Sequence, residues 1–218
     1  CGPATIAISQ DVQAEAYDYP EIFFEERIHE IRRPHPDTNQ IQAAAEKIKS
    51  SKQPIIISGG GVLYSEAEKE LSDFAKKHNI PVTSTVMGLG CMDNDDPYYI
   101  GNIGGLGDRS CNNLSKDTDL ALAVGTKLAD FTTGSWSNFE NEDFKLVSIN
   151  TARYDVTKHR STPVVSDAKI GFQELSKALG DWKAPDIWFE RAIKERTDWK
   201  NYVEKQSGPT NQELPSYA

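Results

Sequence analysis

The sequence predicts an α/β protein built on a doubly wound parallel sheet. Three observations carry this expectation. Short continuous apolar runs recur: Pro54-Ile55-Ile56-Ile57-Ser58, Leu120-Ala121-Leu122-Ala123-Val124 and Lys145-Leu146-Val147-Ser148-Ile149. Strands buried on both faces have this composition. Segments with apolar residues at helical spacing lie between the runs, and glycine or asparagine follows each run. Strand–helix alternation of this kind favours parallel strands joined by right-handed crossovers.

The elements can be justified in order. Ala4–Ser9 alternates briefly, is rich in Ile, Thr and Ala, and follows the Gly2-Pro3 punctuation pair, so it reads as a strand. A lone strand needs a sheet, and its partners are expected outside this sequence. Residues 19–37 carry Pro20, Pro34 and Pro36 among charged clusters, which predicts a linker. Asp37 with Gln40 has capping-box spacing, and Ile41, Ala44, Ala45 and Ile48 form the apolar stripe of the helix it starts. Ile55–Ser58 is the first strand, ended by Gly59-Gly60-Gly61. Ser65 and Glu68 suggest a second capping box, for a helix lined by Ala67, Leu71, Phe74 and Ala75. Val82–Thr85, Leu120–Val124, Leu146–Ile149 and Val164–Val165 complete the expected strands. A helix from Ala168 to Leu179 follows, with Ile170, Leu175, Ala178 and Leu179 inward.

After Gly180 the composition changes. Asp186 to Gln206 reads as one long helix with Trp188, Ala192, Trp199, Tyr202 and Val203 as apolar contacts, stopped by Ser207-Gly208-Pro209. The reading divides the chain into a segment with linker at 1–37, a domain at 38–181 and a linker helix at 182–218. The chain opens on Cys1-Gly2-Pro3 without a methionine, and Glu213–Ala218 breaks off mid-pattern, so it is expected to be the middle of something longer. Ala4–Ser9, Trp188 and Trp199 are then expected to be under-buried.

The composition excludes some function classes. With 33 acidic against 24 basic residues the formal charge is -9. Such a surface repels phosphate backbones and anionic lipid, so nucleic acid and membrane surfaces are not expected partners. No apolar run approaches the ~20 residues of a membrane span. The 3 cysteines, Cys1, Cys91 and Cys111, have no disulfide-framework or zinc spacing, which suits a reducing cytoplasm. Cys91 and Cys111 read as small fillers. The 4 histidines, His29, His35, His78 and His159, stand in no metal spacing and read as surface residues. Asp93-Asn94-Asp95-Asp96 lacks the spaced ligands of a calcium loop and reads as a solvated loop.

Two glycine stretches offer chemistry. At Gly59-Gly60-Gly61 a strand turns into a helix, where backbone N–H groups can approach a phosphate. The spacing matches neither nucleotide fingerprint, and a tight turn explains it as well. Gly101-Asn102-Ile103-Gly104-Gly105-Leu106-Gly107 either lines a ligand cleft or is a close-packed loop needing positive φ. No G-x-S-x-G elbow occurs, and no nucleophile, base and orienting group can be defended together.

A resemblance adds to this reading. Gly2 to Gln13 resembles the closing strand of the pyrimidine-binding domain of thiamine-diphosphate enzymes. Pro54 to Gly61, Pro81 to Thr85 with Gly88, Asp96-Pro97 and Gly101, and Asp119 to Gly125 with Asp130 resemble that family's Rossmann-like middle domain, in order. Val147–Asn150 and Val165–Ala168 resemble its last two strands. Gly2 to Tyr17 and Asp130 to Ser135 look like the branch that hydrolyses trihydroxycyclohexanedione in myo-inositol breakdown. The resemblance implies C–C cleavage of a cyclic 1,2-dione to 5-deoxyglucuronate, with thiamine diphosphate as carbanion sink and Mg²⁺.

It also implies that the activating glutamate lies upstream of Cys1 and the Mg²⁺ and diphosphate ligands downstream of Ala218. No catalytic or metal residue is therefore carried over, and the chain is expected to hold no cofactor of its own. Its partners would be the flanking domains, and the whole enzyme a homo-oligomer. Two alternatives stay open. One is a nucleotide- or FAD-binding module, as in relatives of acetohydroxyacid synthase, with a vestigial pocket at Gly60, Gly61, Gly88 and Gly125. The other is a free-standing enzyme of the related NAD-binding fold.

Overall fold

A computed structural model describes residues 4–208. The Gly2-Pro3 pair and the tail from Pro209 lie outside the described residues. The chain divides into two units, at Arg32 and Arg33.

In the first unit, Ala4–Ser9 has no strand partner among the described residues and forms no strand, and its Ile6 and Ile8 are exposed. A strand exists only through ladder bonds to a neighbour, and these residues have none. Helix α1 (Gln10–Gln13) follows, steadied by the Gln13 side chain on the Ile8 carbonyl at 2.9 Å. A 3₁₀ turn at Glu21–Phe23 gathers Tyr17, Tyr19, Phe23 and Phe24 into a chain of edge-on and tilted rings. All of these rings remain exposed.

The second unit is the doubly wound domain. It begins with α2 (Thr38–Lys49), capped by Asp37, whose carboxylate accepts from the N–H groups of Asn39 and Gln40. The Gln40 side chain does not complete the box. It accepts from the Val165 N–H at 2.9 Å and ties the helix to the last strand. Next come β1 (Pro54–Ser58), α3 (Gly60–Tyr64), α4 (Glu68–His78), β2 (Val82–Ser84) and β3 (Tyr99–Asn102). Then follow α5 (Arg109–Asp117), β4 (Leu120–Val124), α6 (Asp130–Thr133), β5 (Lys145–Asn150) and α7 (Arg153–Val156). The described part ends with β6 (Thr162–Val165), α8 (Ala168–Leu179) and α9 (Asp186–Ser207).

The 6 strands form one sheet in the order β3-β2-β1-β4-β5-β6. Every neighbouring pair is parallel, with Ile55 beside Ala121, Ala121 beside Leu146 and Ile149 beside Val164. All the strands expected from apolar runs are present. β3 is additional. Its Tyr-Ile-Gly-Asn sequence merges into the glycine-dense stretch and carries no apolar run to announce it. That stretch is closely packed at Gly101 and Gly104. Gly101 and Gly104 have φ of 118° and 111°, and a Cβ on them would meet Asp108 Oδ2 at 2.1 Å and the Phe131 carbonyl at 2.2 Å.

Alternate strand residues feed two cores. Ile56, Leu120, Leu122, Val124 and Val147 pack with Ile48 of α2, Phe74 of α4 and Phe172 of α8. Ile55, Ile57, Ala121 and Ala123 pack with Leu114 of α5 and with Trp188 and Ala192 of α9. Trp188 is 2% exposed and its indole N–H donates to the Pro54 carbonyl at 2.8 Å. The expectation that it lies under-buried is therefore corrected. The small Ala121 and Ala123 leave that sheet face shallow, and a large side chain fills it.

Two further expectations need correction. Ser65 does not cap α4, whose N-cap is Ala67 without a side-chain bond. Ser65 instead ends α3 and bonds to Asp167. His78 is not a surface residue. It is fully buried, with Nδ1 at 2.8 Å from the Trp182 carbonyl and Nε2 at 3.0 Å from Ser176 Oγ.

Candidate functional site

The strand order reverses between β1 and β4. In open α/β sheets, ligands bind outside the carboxyl ends of the strands at such a point. Gly59-Gly60-Gly61 leaves β1 there, Gly125 leaves β4, and Gly88 closes the turn after β2. The fold thus gathers Gly60, Gly61, Gly88 and Gly125 at one edge of the sheet.

The four are drawn together by close backbone approach. A Cβ on Gly61 would lie 2.6 Å from the Gly125 Cα, and one on Gly88 would lie 2.3 Å from the Ser58 carbonyl oxygen. Gly60 faces the Met87 carbonyl at 3.0 Å by the same measure. Gly125 also needs φ of 62°, a conformation that costs a side chain strain. The N–H groups of Gly61, Gly88 and Gly125, and that of the neighbouring Gly59, are committed within the protein. Gly59 donates to Val124 at 2.8 Å, and Gly61, Gly88 and Gly125 donate to Gly125, Thr85 and Ile149, each at 2.9 Å. A phosphate cradle needs such N–H groups free to point at the anion. The arrangement supports the packing of three turns, and α3 is only 5 residues long.

The two buried thiols, Cys91 beside this edge and Cys111 in α5, are held in the protonated form. Cys91 is buried with its Sγ at 2.6 Å from Ser58 Oγ, and burial pushes its pKa up. Burial pushes the Cys111 thiol up to about 12. Neither forms thiolate at neutral pH, so neither is a nucleophile or a soft metal ligand. The filler reading of both holds.

The acidic stretch builds a turn. Asp93 accepts from the Asp95 N–H at 2.8 Å, and Asp96 pairs with Lys76 at 2.8 Å and accepts from the Tyr98 N–H at 3.0 Å. Among the described residues no three His, Cys, Asp or Glu side chains converge as metal ligands would. The His159 ring packs tilted against Trp136, with ring centroids 4.4 Å apart and an interplanar angle of 54°.

A groove of about 350 Å³ lies between β3 and α9, lined by Tyr99, Ile100, Gly101, Asp108 and Trp199 among others, so Gly101 of the glycine stretch borders a cleft, while the α9 wall was missed by the sequence reading. The Trp199 indole N–H donates to Asp108 Oδ1 at 3.0 Å across it. The apolar spacing of α9 was legible, but its partner strand was not, so no sequence signal joined the two walls. No helix among the described residues is long and apolar enough to cross a membrane.

Comparison with known proteins fits this architecture. The family model described as "Thiamine pyrophosphate enzyme, central domain" matches residues 41–175. Curated relatives carry the name 3D-(3,5/4)-trihydroxycyclohexane-1,2-dione hydrolase. The one from Clostridium perfringens strain 13 is 37% identical over 204 residues, covering 94% of this chain and 32% of the relative. That of Geobacillus thermodenitrificans is 36% identical, covering 99% and 35%. That of Clostridium botulinum strain Alaska E43 is 43% identical, covering 82% and 28%. The chain thus spans about a third of the length of these relatives. With the matched stretch spanning all 6 strands of the doubly wound sheet, the chain belongs to the thiamine pyrophosphate enzyme family, as a carrier of its central domain.

Proposed function

We propose that this chain is the middle region of a thiamine-diphosphate-dependent enzyme that hydrolyses a C–C bond of a cyclic 1,2-dione. In that enzyme it serves as a spacer and subunit-contact layer. The observation that carries the reading is the identity of 37% to a trihydroxycyclohexanedione hydrolase across 94% of the chain. The geometry agrees with a structural role. The N–H groups of Gly59, Gly61, Gly88 and Gly125 are spent on protein carbonyls, and the buried thiols are protonated. No residue of the chain is assigned to thiamine diphosphate or Mg²⁺, so no chemical step is routed through it.

The test is an assay of the full-length protein that contains this segment. It should consume trihydroxycyclohexanedione only when thiamine diphosphate and Mg²⁺ are supplied. Absence of that dependence would overturn the reading. The 218-residue chain itself should show no micromolar binding of thiamine diphosphate by calorimetry. The rival reading, a nucleotide or FAD module, is favoured by the switch point between β1 and β4. A ligand that binds only the folded state raises its melting temperature. A clear rise with FAD or ADP would select the rival.

A further inference from the structure

Arg33 joins three segments that are distant in sequence. Its Nη1 donates to the Ser65 carbonyl at 2.5 Å and to Asp167 Oδ2 at 3.1 Å. Ser65 ends α3, the short helix that leaves the glycine turn. Asp167 is the N-cap of α8, where Oδ1 accepts from the Lys169 and Ile170 N–H groups. The Ser65 hydroxyl donates to the same Asp167 Oδ2 at 2.8 Å and accepts from the Ala168 N–H at 3.3 Å. Next to Arg33, the Pro34 carbonyl accepts from the Asp167 N–H at 3.0 Å and from Ser166 Oγ at 3.2 Å. The start of the domain, the end of α3 and the start of α8 therefore share one hydrogen-bonded junction.

The junction needs its charge. Asp167 is 5% exposed, and a carboxylate that far from water is costly without a cation. Arginine suits the position because its rigid fork of N–H donors can hold a carbonyl and a carboxylate together. Lysine would offer a point charge on a flexible stem. α3 is thus pinned at both ends. Gly61 packs on Gly125 at its start, and Arg33 holds Ser65 at its finish.

We propose that Arg33 is a latch that couples the chain entering the domain to the glycine turn at the switch point of the sheet. While it is closed, α3 is held over the carboxyl edge. A shift of residues 33–34 opens it and frees the Ser65 end. This goes beyond the functional reading above and holds whatever reaction the longer protein performs. Coupling of this kind is established only by an element whose two arrangements can be measured, and here that element is α3.

The experiment is residue-resolved hydrogen exchange on the 218-residue chain, in wild type, Arg33→Gln, Asp167→Asn and Lys169→Gln. Asparagine at 167 keeps an Oδ1 acceptor for the N-cap and replaces Oδ2, the acceptor of Arg33 and Ser65, by an uncharged NH2 group. Lys169→Gln breaks the neighbouring contact with Glu70 and serves as the control. Both latch variants should exchange the Val62, Ser65 and Ala67 amides about fivefold faster or more, as local opening without global unfolding. The β1 amides and the control should stay near wild type. If the α3 amides remain within about twofold of wild type in both variants, the coupling does not exist and Arg33 is only a local anchor. Should Arg33→Gln unfold the chain, seen as fast exchange in β1, Arg33→Lys decides. It should loosen α3 to an intermediate degree, and wild-type exchange there would overturn the latch.

Discussion

Residues 4–32 precede and helix α9 follows residues 41–175, the stretch matched by the family model, and the two differ in aromatic burial: every ring of the first segment is exposed, whereas α9 buries Trp188 and leaves Tyr202 at its far end 48% exposed. In the first segment Tyr17 and Phe24 are each 71% exposed, and the rings touch mainly one another. In α9, Trp188 is 2% exposed and sits in a sheet-face core beside Ala121 and Ala123. Both segments invited the same expectation, an apolar face left under-buried. What separates them is form. α9 is a 22-residue helix whose repeat returns Trp188 and Ala192 to one face, and the indole N–H finds a backbone carbonyl. The first segment has only a 4-residue helix and a 3₁₀ turn, too little regular structure to aim its rings at one surface. Apolar content alone does not secure burial; periodicity and a polar handle do.

The comparison can be broken most sharply at Trp188. Trp188→Ala should lower the stability of the chain by about 3–5 kcal/mol, read by urea denaturation, as for large core truncations. A loss under about 1 kcal/mol would show that α9 is a loose appendage like the first segment.

A second variant asks whether the carboxyl edge of the sheet is as tightly closed as the α9 core. Gly125→Ala places a Cβ 2.6 Å from the Gly61 Cα at a φ of 62°, so it combines a clash with backbone strain. It should cost about 2–4 kcal/mol. Gly90→Ala, at φ of 88° with open space around it, should cost about 1 kcal/mol from strain alone. Equal costs would mean that the turns are not packed as described.

Acid should sharpen the difference between the two ends. His78 anchors the approach to α9, since its ring meets the Trp182 carbonyl and its own carbonyl accepts from the Ala184 N–H. Burial holds its pKa below the usual 6.5. Between the two pKa values the unfolded chain binds more protons than the folded one, so stability rises with pH. The contribution is therefore complete above about pH 6.5 and is lost as pH falls through the depressed folded value. Melting temperatures of wild type should fall over that window, and those of His78→Gln should fall less. Parallel curves would refute this account.

The smallest effect is expected in the first segment. Phe24→Ala removes an exposed ring and should change stability by no more than about 0.5 kcal/mol. A larger loss would show that the exposed aromatic chain supports the fold after all.

How much was legible follows from where each signal resides. Ile55–Ser58, Leu120–Val124 and Leu146–Ile149 carry their burial in their own composition, because a parallel strand covered on both faces must be apolar at every position. The Asp37 cap was legible for the same local reason, since its donors sit two and three residues along. β3 was hidden because Gly101 serves a strand and a tight loop at once. Ser65 was misread because the spacing to Glu68 is local while its real partner, Asp167, is 102 residues away.

The candidate site divides in the same way. That Gly60, Gly61, Gly88 and Gly125 belong to turns after strands was written in the sequence. That the N–H groups of Gly61 and Gly125 are occupied was decided by strands meeting across the sheet, since their acceptors are Gly125 at the end of β4 and Ile149 of β5. The sequence by itself determined the doubly wound sheet, five of its 6 strands and the helices α2, α4, α8 and α9, because burial on two faces and helical periodicity are properties of neighbours in the chain. Only the tertiary structure decided that Trp188 is core, that His78 is buried and that Arg33 grips Asp167. Each of those depends on partners brought close by folding alone, and no local pattern records them.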